Sequence, residues 1–213
     1  AIKINQSFSE SYINLAKVLT IINRFDTAKD YYNKALNINS VNSTYYSDFG
    51  IYYIKLEKFD EGIDCFKKAI ALNQNSYENY KNLAICYLNK NSFSNAILNF
   101  KKAITINSKS PELFNYLAHT LSKLNNLSEA NLNFKKALEL DTNFIGAYIN
   151  LGNMLKESNK LSEAIFNYEK ALKLDRKKDF LIGDLLNTYM MTCNWKFLKL
   201  NIQNIQRSIQ KKK

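Results

Sequence analysis

An all-α solenoid of stacked helix pairs is the fold class that three observations predict for this chain. The phrase FKKAI stands at residues 66–70 and 100–104 and returns as FKKAL at 134–138, so Phe66, Phe100 and Phe134 are separated by a constant 34 residues. A phrase on a fixed period marks a structural unit that stacks on copies of itself, whereas a catalytic motif occurs once. Five glycines and one proline among 213 residues are far below ordinary usage and disfavour a turn-rich β fold. The third observation is a content of 46% hydrophobic and 13% aromatic residues, enough for a packed interior and too much for a disordered chain.

Aligned on that interval, the chain divides without a gap into units 9–42, 43–76, 77–110, 111–144 and 145–178. Each unit opens with a helix whose columns are Tyr12, Tyr46, Tyr80, Phe114 and Tyr148, then Leu15, Phe49, Leu83, Leu117 and Leu151. Small residues follow at Ala16, Gly50, Ala84, Ala118 and Gly152, and larger ones at Leu19, Tyr53, Tyr87, Leu121 and Leu155. Their i, i+3, i+4, i+7 offsets trace one face of an α-helix. A second helix carries Ala28, Gly62, Ala96, Ala130 and Ala164, then Tyr32, Phe66, Phe100, Phe134 and Tyr168, then Ala35, Ala69, Ala103, Ala137 and Ala171. Between the two helices, Asn23, Asn91, Asn125 and Asn159 suit the left-handed conformation that ends a helix. Three residues later, Asp26, Asp60, Ser94, Ser128 and Ser162 are expected to be N-caps. Pro111 after Ser110 opens the fourth unit as a capping residue followed by proline at the first helical position.

Residues 1–8 read as the end of a preceding unit, because Ala1 falls in the column of Ala35, Ala69 and Ala103. The chain is therefore expected to be an excerpt, with its own N-terminus and any targeting signal upstream. After residue 178 the register continues through Ile182, Leu185, Leu186 and Tyr189. Trp195 falls in the column of Phe25, Phe59 and Phe93, followed by Leu198, Ile202 and Ile205. These predict a degenerate capping helix pair over 179–209, with Trp195 in its core, and a basic tail at 210–213.

The formal charge of +11 is concentrated at one end: residues 176–213 hold nine Lys or Arg against Asp179 and Asp184. A basic end is compatible with nucleic acid or an anionic membrane, but no aromatic–basic platform accompanies it, and a solvated chain end is the reading taken. No apolar run approaches the roughly 18 residues that span a bilayer, so no membrane partner is expected. Cys65, Cys86 and Cys193 form no CxxC pair, and reduced thiols in a cytoplasmic compartment are predicted. The Lys34, Lys68, Lys102, Lys136 and Lys170 column is read as a solvated outer face.

An enzyme needs a base, nucleophile or metal in a defined constellation. One histidine, His119, no HExxH, no glycine-rich phosphate loop and no Cys or His cluster leave no catalytic, cofactor-binding or metal residue to propose, and no cofactor is expected. A stack of helix pairs offers instead a concave groove lined by its first helices. One column on that face holds Asn14, Asp48, Asn82, Tyr116, Asn150 and Asp184, and a second holds Lys17, Ile51, Ile85, His119, Asn153 and Asn187. A primary amide offers donor and acceptor together, so a row of them suits the backbone of an extended peptide. The groove candidates are Asn14, Lys17, Asp48, Glu78, Asn82, Tyr116, His119, Asn150 and Asn153, with a protein or peptide as partner.

The alternation of Tyr, Leu, Gly or Ala and Tyr on a first helix with Ala, aromatic and Ala on a second, every 34 residues over residues 1 to about 209, resembles the tetratricopeptide repeat. The resemblance implies a right-handed superhelical solenoid of helix-turn-helix repeats that binds proteins. The chain departs from the family where a proline usually closes each unit and Ser40, Gln74, Ser108, Thr142 and Arg176 stand instead. The Lys and Asn, four residues apart, of chaperone-clamping repeats are not matched by Ile13/Lys17, Ser47/Ile51, Lys81/Ile85, Asn115/His119 or Ile149/Asn153. The Asn14, Asn82 and Asn150 column resembles the groove ladder of O-linked N-acetylglucosamine transferases, broken here by Asp48, Tyr116 and Asp184. FLIGDLLNTYMMTCNWKFL at 180–198 resembles the segment that joins repeats to catalytic domain in bacterial members, with Asn194 departing from a CDW motif. That resemblance implies a UDP-sugar-dependent catalytic domain beyond Lys213, with this excerpt holding the acceptor. The alternative is a stand-alone adaptor, and nucleic-acid binding ranks last.

Overall fold

The computed structural model describes residues 2–39, 41–175 and 179–193, and among them eleven helices follow one another with no strand. First helices of the successive pairs are α1 (Ile2–Ile21), α3 (Ser43–Lys55), α5 (Tyr77–Asn89), α7 (Pro111–Lys123), α9 (Ile145–Glu157) and α11 (Asp179–Met191). Second helices are α2 (Phe25–Ile38), α4 (Phe59–Leu72), α6 (Phe93–Ile106), α8 (Leu127–Leu140) and α10 (Leu161–Leu174). The helices group into two compact units, 1–109 and 110–213. Trp195, Leu198, Ile202, Ile205 and the 210–213 tail lie outside the described residues, as do Ala1, Ser40 and Arg176. Of the range 179–209 expected for a capping pair, α11 covers Asp179–Met191.

Each pair is locked by one device. Tyr32, Phe66, Phe100, Phe134 and Tyr168 are all buried, as are the Ala35 and Ala28 columns, because a small residue on one helix leaves room for the aromatic of the other. The approach is tightest where the small residue is glycine: a Cβ on Gly50 would sit 2.6 Å from Phe66 Cζ, and one on Gly152 2.6 Å from Tyr168 Cε1. Within the first unit, successive pairs are joined by Tyr45 Oη against Ser9 Oγ at 2.9 Å and by Tyr52 Oη donating to the Phe25 carbonyl at 3.1 Å. Tyr45 and Tyr52 belong to two further buried columns, continued by Asn79, Leu113, Ala147 and Leu181 and by Cys86, Thr120, Met154 and Thr188. Their mixed chemistry hides them from a search for a conserved type of side chain down a column. Leu15 is the exception among the apolar stripe, 41% exposed where Phe49, Leu83, Leu117 and Leu151 are buried.

The turns inside the pairs follow the expected left-handed residues. Asn23, Asn91, Asn125 and Asn159 have φ of 61°, 56°, 58° and 58°. Glu57, in the same column, also takes φ 57°, as does Cys193 at 52° after α11. A non-glycine residue in this region is strained, and glutamate lacks the short amide that eases it for asparagine. Glu57→Gly is therefore expected to raise the unfolding free energy by about 0.5–1 kcal/mol, the strain relieved less the entropy glycine adds to the unfolded chain. Urea titration of the two proteins measures it, and a loss of stability would show that the Glu57 side chain has a compensating role.

The N-cap expectation is corrected. Asp26, Asp60, Ser94, Ser128 and Ser162 are the second residues of helices that begin at Phe25, Phe59, Phe93, Leu127 and Leu161. The caps are Arg24, Lys58, Ser92, Asn126 and Lys160, and of these only Asn126 accepts from the backbone through its side chain, from Glu129. The physical reason is the turn itself: Arg24 N–H already donates to the Leu19 carbonyl while its own carbonyl accepts from Ala28 N, so the helix restarts on the residue after the left-handed one. Asp26 and Asp60 instead place negative charge in a first turn, where the helix dipole favours it. Between pairs, Asn39, Asn73, Asn107 and Asp141 turn the chain by accepting the amide two residues on. Residues 2–8, read from sequence as the close of an earlier unit, run without a break into α1. The later units break at the equivalent place.

Candidate functional site

In the first unit, α1, α3 and α5 lie side by side and turn the 14/48/82 column to one face. The face is a groove of ≈ 580 Å³, and Asn14, Lys17, Asp48, Glu78 and Asn82 line it. The amides of Asn14 and Asn82 make no hydrogen bond to another described residue and are open to a ligand. Lys17 Nζ lies 3.3 Å from Asp48 Oδ2, one helix to the next. Burial raises the Asp48 carboxyl above its ordinary value, and the nearby Lys17 ammonium only partly offsets this.

The groove floor holds a residue that sequence reasoning missed. Asn79 is 2% exposed, yet it lines the groove with Ser47 and Glu10. Ser47 Oγ donates to Asn79 Oδ1 at 2.5 Å. Ser76, the N-cap of α5, accepts from Asn79 N and donates to Glu78 Oε2 at 3.3 Å. These contacts position Asn79 and Glu78 from the same helix start. In the other units the Asn79 column is occupied by Ser11, Tyr45, Leu113, Ala147 and Leu181, so the sequence signal available was a polar residue in a column of mixed chemistry.

In the second unit, α7 carries Tyr116 and His119, and α9 carries Asn150 and Asn153. Here the amides are engaged. Asn150 Nδ2 donates to Asn115 Oδ1 at 3.0 Å, and Asn153 Oδ1 accepts from the buried Tyr168 hydroxyl at 2.7 Å. Asp184, next in the column, is held by Lys156 Nζ at 2.9 Å. Burial, and then Lys123, lower the His119 pKa, with Glu157 opposing, so the ring is neutral at pH 7. Burial, followed by Glu112, raises that of Tyr116. The structure thus divides the predicted asparagines into two with open amides, Asn14 and Asn82, and two that knit helices together.

Among the described residues no group of three His, Cys, Asp or Glu side chains is placed to hold a metal ion, and no helix is long and apolar enough to cross a membrane. The Lys34, Lys68, Lys102, Lys136 and Lys170 column is exposed.

Helix pairs that share one small-residue and aromatic code, and turn a polar face of their first helices outward, define a helical-repeat scaffold. Residues 9–42, 43–76, 77–110 and 111–144 and residues 146–178 match the tetratricopeptide repeat, and the chain belongs to that family. Its fold class is the all-α, α–α superhelix. No curated protein matches the sequence. Among solved structures, YrrB, described as a TPR protein with an unusual peptide-binding site, is 23% identical at a TM-score of 0.67, over 86% of this chain and 95% of that one. PilF of Pseudomonas aeruginosa is 14% identical at a TM-score of 0.76, over 98% and 99%. A tetratricopeptide repeat protein from Parabacteroides merdae is 15% identical at 0.78, over 94% and 80%. Each shares the fold.

Proposed function

We propose that this chain is a protein-binding scaffold that holds an extended segment of a partner against the polar face of its first helices. The observation that carries the reading is the α1–α3–α5 groove, with the open amides of Asn14 and Asn82 on its wall. An amide pairs equally well with a backbone N–H or C=O, so such a wall takes extended chains of varied sequence, each contact contributing about 0.5–1.5 kcal/mol. That YrrB is described as carrying a peptide-binding site supports the same use of a similar fold.

Asn82→Ala is expected to weaken binding of peptides selected on the intact chain by about 3- to 10-fold, read by fluorescence anisotropy, with an unchanged helical circular dichroism spectrum. Unchanged affinity would sink the reading. Asn150→Ala, which strips a donor from Asn115, is expected to lower stability as well.

The finer reading makes the scaffold the acceptor-holding part of a larger protein O-glycosyltransferase that draws on a UDP-sugar, in a cytoplasmic compartment suited to the free thiols Cys65 and Cys86. Its support is the Asn14, Asn82 and Asn150 column and the 180–198 segment, whose residues 194–198 lie outside the described residues. The alternative is an adaptor with no enzyme attached, favoured by the 95% and 99% of the YrrB and PilF chains that the match covers. Intact mass and a C-terminal peptide map of the native polypeptide separate them: a large extension past Lys213 that supports UDP-sugar transfer fits the first, and a chain ending near Lys213 fits the second.

A further inference from the structure

The charge of the first-unit groove opposes that of the chain. The molecule carries +11 overall, yet Glu10, Asp48 and Glu78 line the groove against Lys17 alone. Lys17 is half exposed as a side chain while Asp48 is 19% exposed, so the cation reaches out to water and the carboxylate is the inner partner. Burial already works against the Asp48 charge more than Lys17 relieves it, so a further cation beside the carboxylate would favour its charged form. A second feature stands beside it. Asn79 spends its Oδ1 on Ser47, and its Nδ2 donates to no described residue. Asn79 is one of the residues that line the groove. A donor on a side chain held this firmly loses little entropy on meeting an acceptor.

We propose that the α1–α3–α5 groove selects an extended protein segment that bears an arginine or lysine, its cation seated among Asp48, Glu10 and Glu78 and a backbone carbonyl of the same segment accepting from Asn79 Nδ2. The inference rests on the groove-binding reading above and adds the chemistry of the ligand. An arginine brings a planar fork that meets a carboxylate through two parallel hydrogen bonds, which a lysine does not. It therefore competes with Lys17 for Asp48 on favourable terms. Lys17 acts as a gate of matching charge: it neutralises the empty site and weakens the hold on any incoming cation.

The test uses the whole chain and three fluorescently labelled nonapeptides of alanine and serine that differ only at the central residue, arginine, glutamine or glutamate. The arginine peptide is expected to bind at least 10-fold more tightly than the glutamate peptide, with glutamine between, and the advantage to shrink as salt rises from 50 to 300 mM. Asp48→Asn combined with Glu78→Gln, both on partly exposed helix faces, is expected to abolish the ranking. Lys17→Gln is expected to tighten the arginine peptide several-fold, an effect that a purely structural ion pair would not produce. Binding of all three peptides with equal affinity, or a preference for glutamate, overturns the inference while leaving groove binding in place. Failure of every peptide to bind at millimolar concentration overturns both.

Discussion

Phe66→Ala is expected to lower the unfolding free energy by about 3–5 kcal/mol, the usual cost of emptying a fully buried phenyl site that cannot collapse. The ring is wholly buried and packs with Ile63, Leu83 and Cys86. Its far end lies over Gly50, close enough that even a Cβ there would clash. Against a total stability of about 5–15 kcal/mol for an ordinary domain, this is a large fraction of what holds the fold, and at the lower end of that range it is all of it. In a stack whose units touch only their neighbours, the damage is expected first in α3, α4 and α5. Leu98→Ala, at a side chain 66% exposed, serves as the control and is expected to change stability by no more than about 0.5 kcal/mol. A sharper check is the pair of glycine variants. Gly50→Ala is expected to destabilise the native protein through overpacking and to be neutral or stabilising once Phe66 is alanine, because the cavity then accepts the methyl group and helix propensity favours alanine over glycine. Additive effects in urea titrations of the four proteins would contradict the ring-on-glycine contact.

Alkaline pH is expected to produce a comparable loss through groups that no binding role requires. Burial pushes the Cys65 thiol up to about 11. Burial, and then the neighbouring Cys65, pushes Cys86 up to about 12. Burial likewise raises the Tyr32 and Tyr53 hydroxyls to about 12. All four are acids whose neutral form suits the interior, so the folded chain keeps the proton after the unfolded chain has released it. Protons bound in the unfolded state then fall below those bound in the native state, and stability drops with rising pH. The stabilisation is complete below pH 9, the ordinary thiol value, and is lost as pH climbs from 9 toward 11–12, at up to about 1.4 kcal/mol per pH unit for each group. Urea midpoints at pH 8.0 and 10.5 are expected to differ by at least about 2 kcal/mol. Cys86→Ala shifts the stability at both pH values, so the quantity to compare is the slope, expected to be shallower by roughly one group's share. A stability independent of pH over this range would show that both thiols ionise freely in the folded protein.

The repeat, its helix pairs, the aromatic-into-small packing and the left-handed asparagines were all legible in the one-dimensional pattern, because each is dictated by residues within 34 positions and is written five times over. A periodic signal survives a departure at any one copy, which is why Glu57 in place of asparagine did not obscure the turn. The cap positions were misplaced by two residues since a left-handed turn satisfies backbone groups that a polar side chain would otherwise have to meet. The face that carries the groove columns also followed from the period alone. Which of its asparagines remain open did not, for that depends on partners on other helices: Asn150 meets Asn115 and Asn153 meets Tyr168, while Asn14 and Asn82 meet no side chain. Asn79 was invisible for the same reason, a polar residue in a column that otherwise holds Ser11, Tyr45, Leu113, Ala147 and Leu181. Local rules of helix, turn and period reach only along the chain; hydrogen-bond partnership and residual charge are decided through space, and only the packed helices set them.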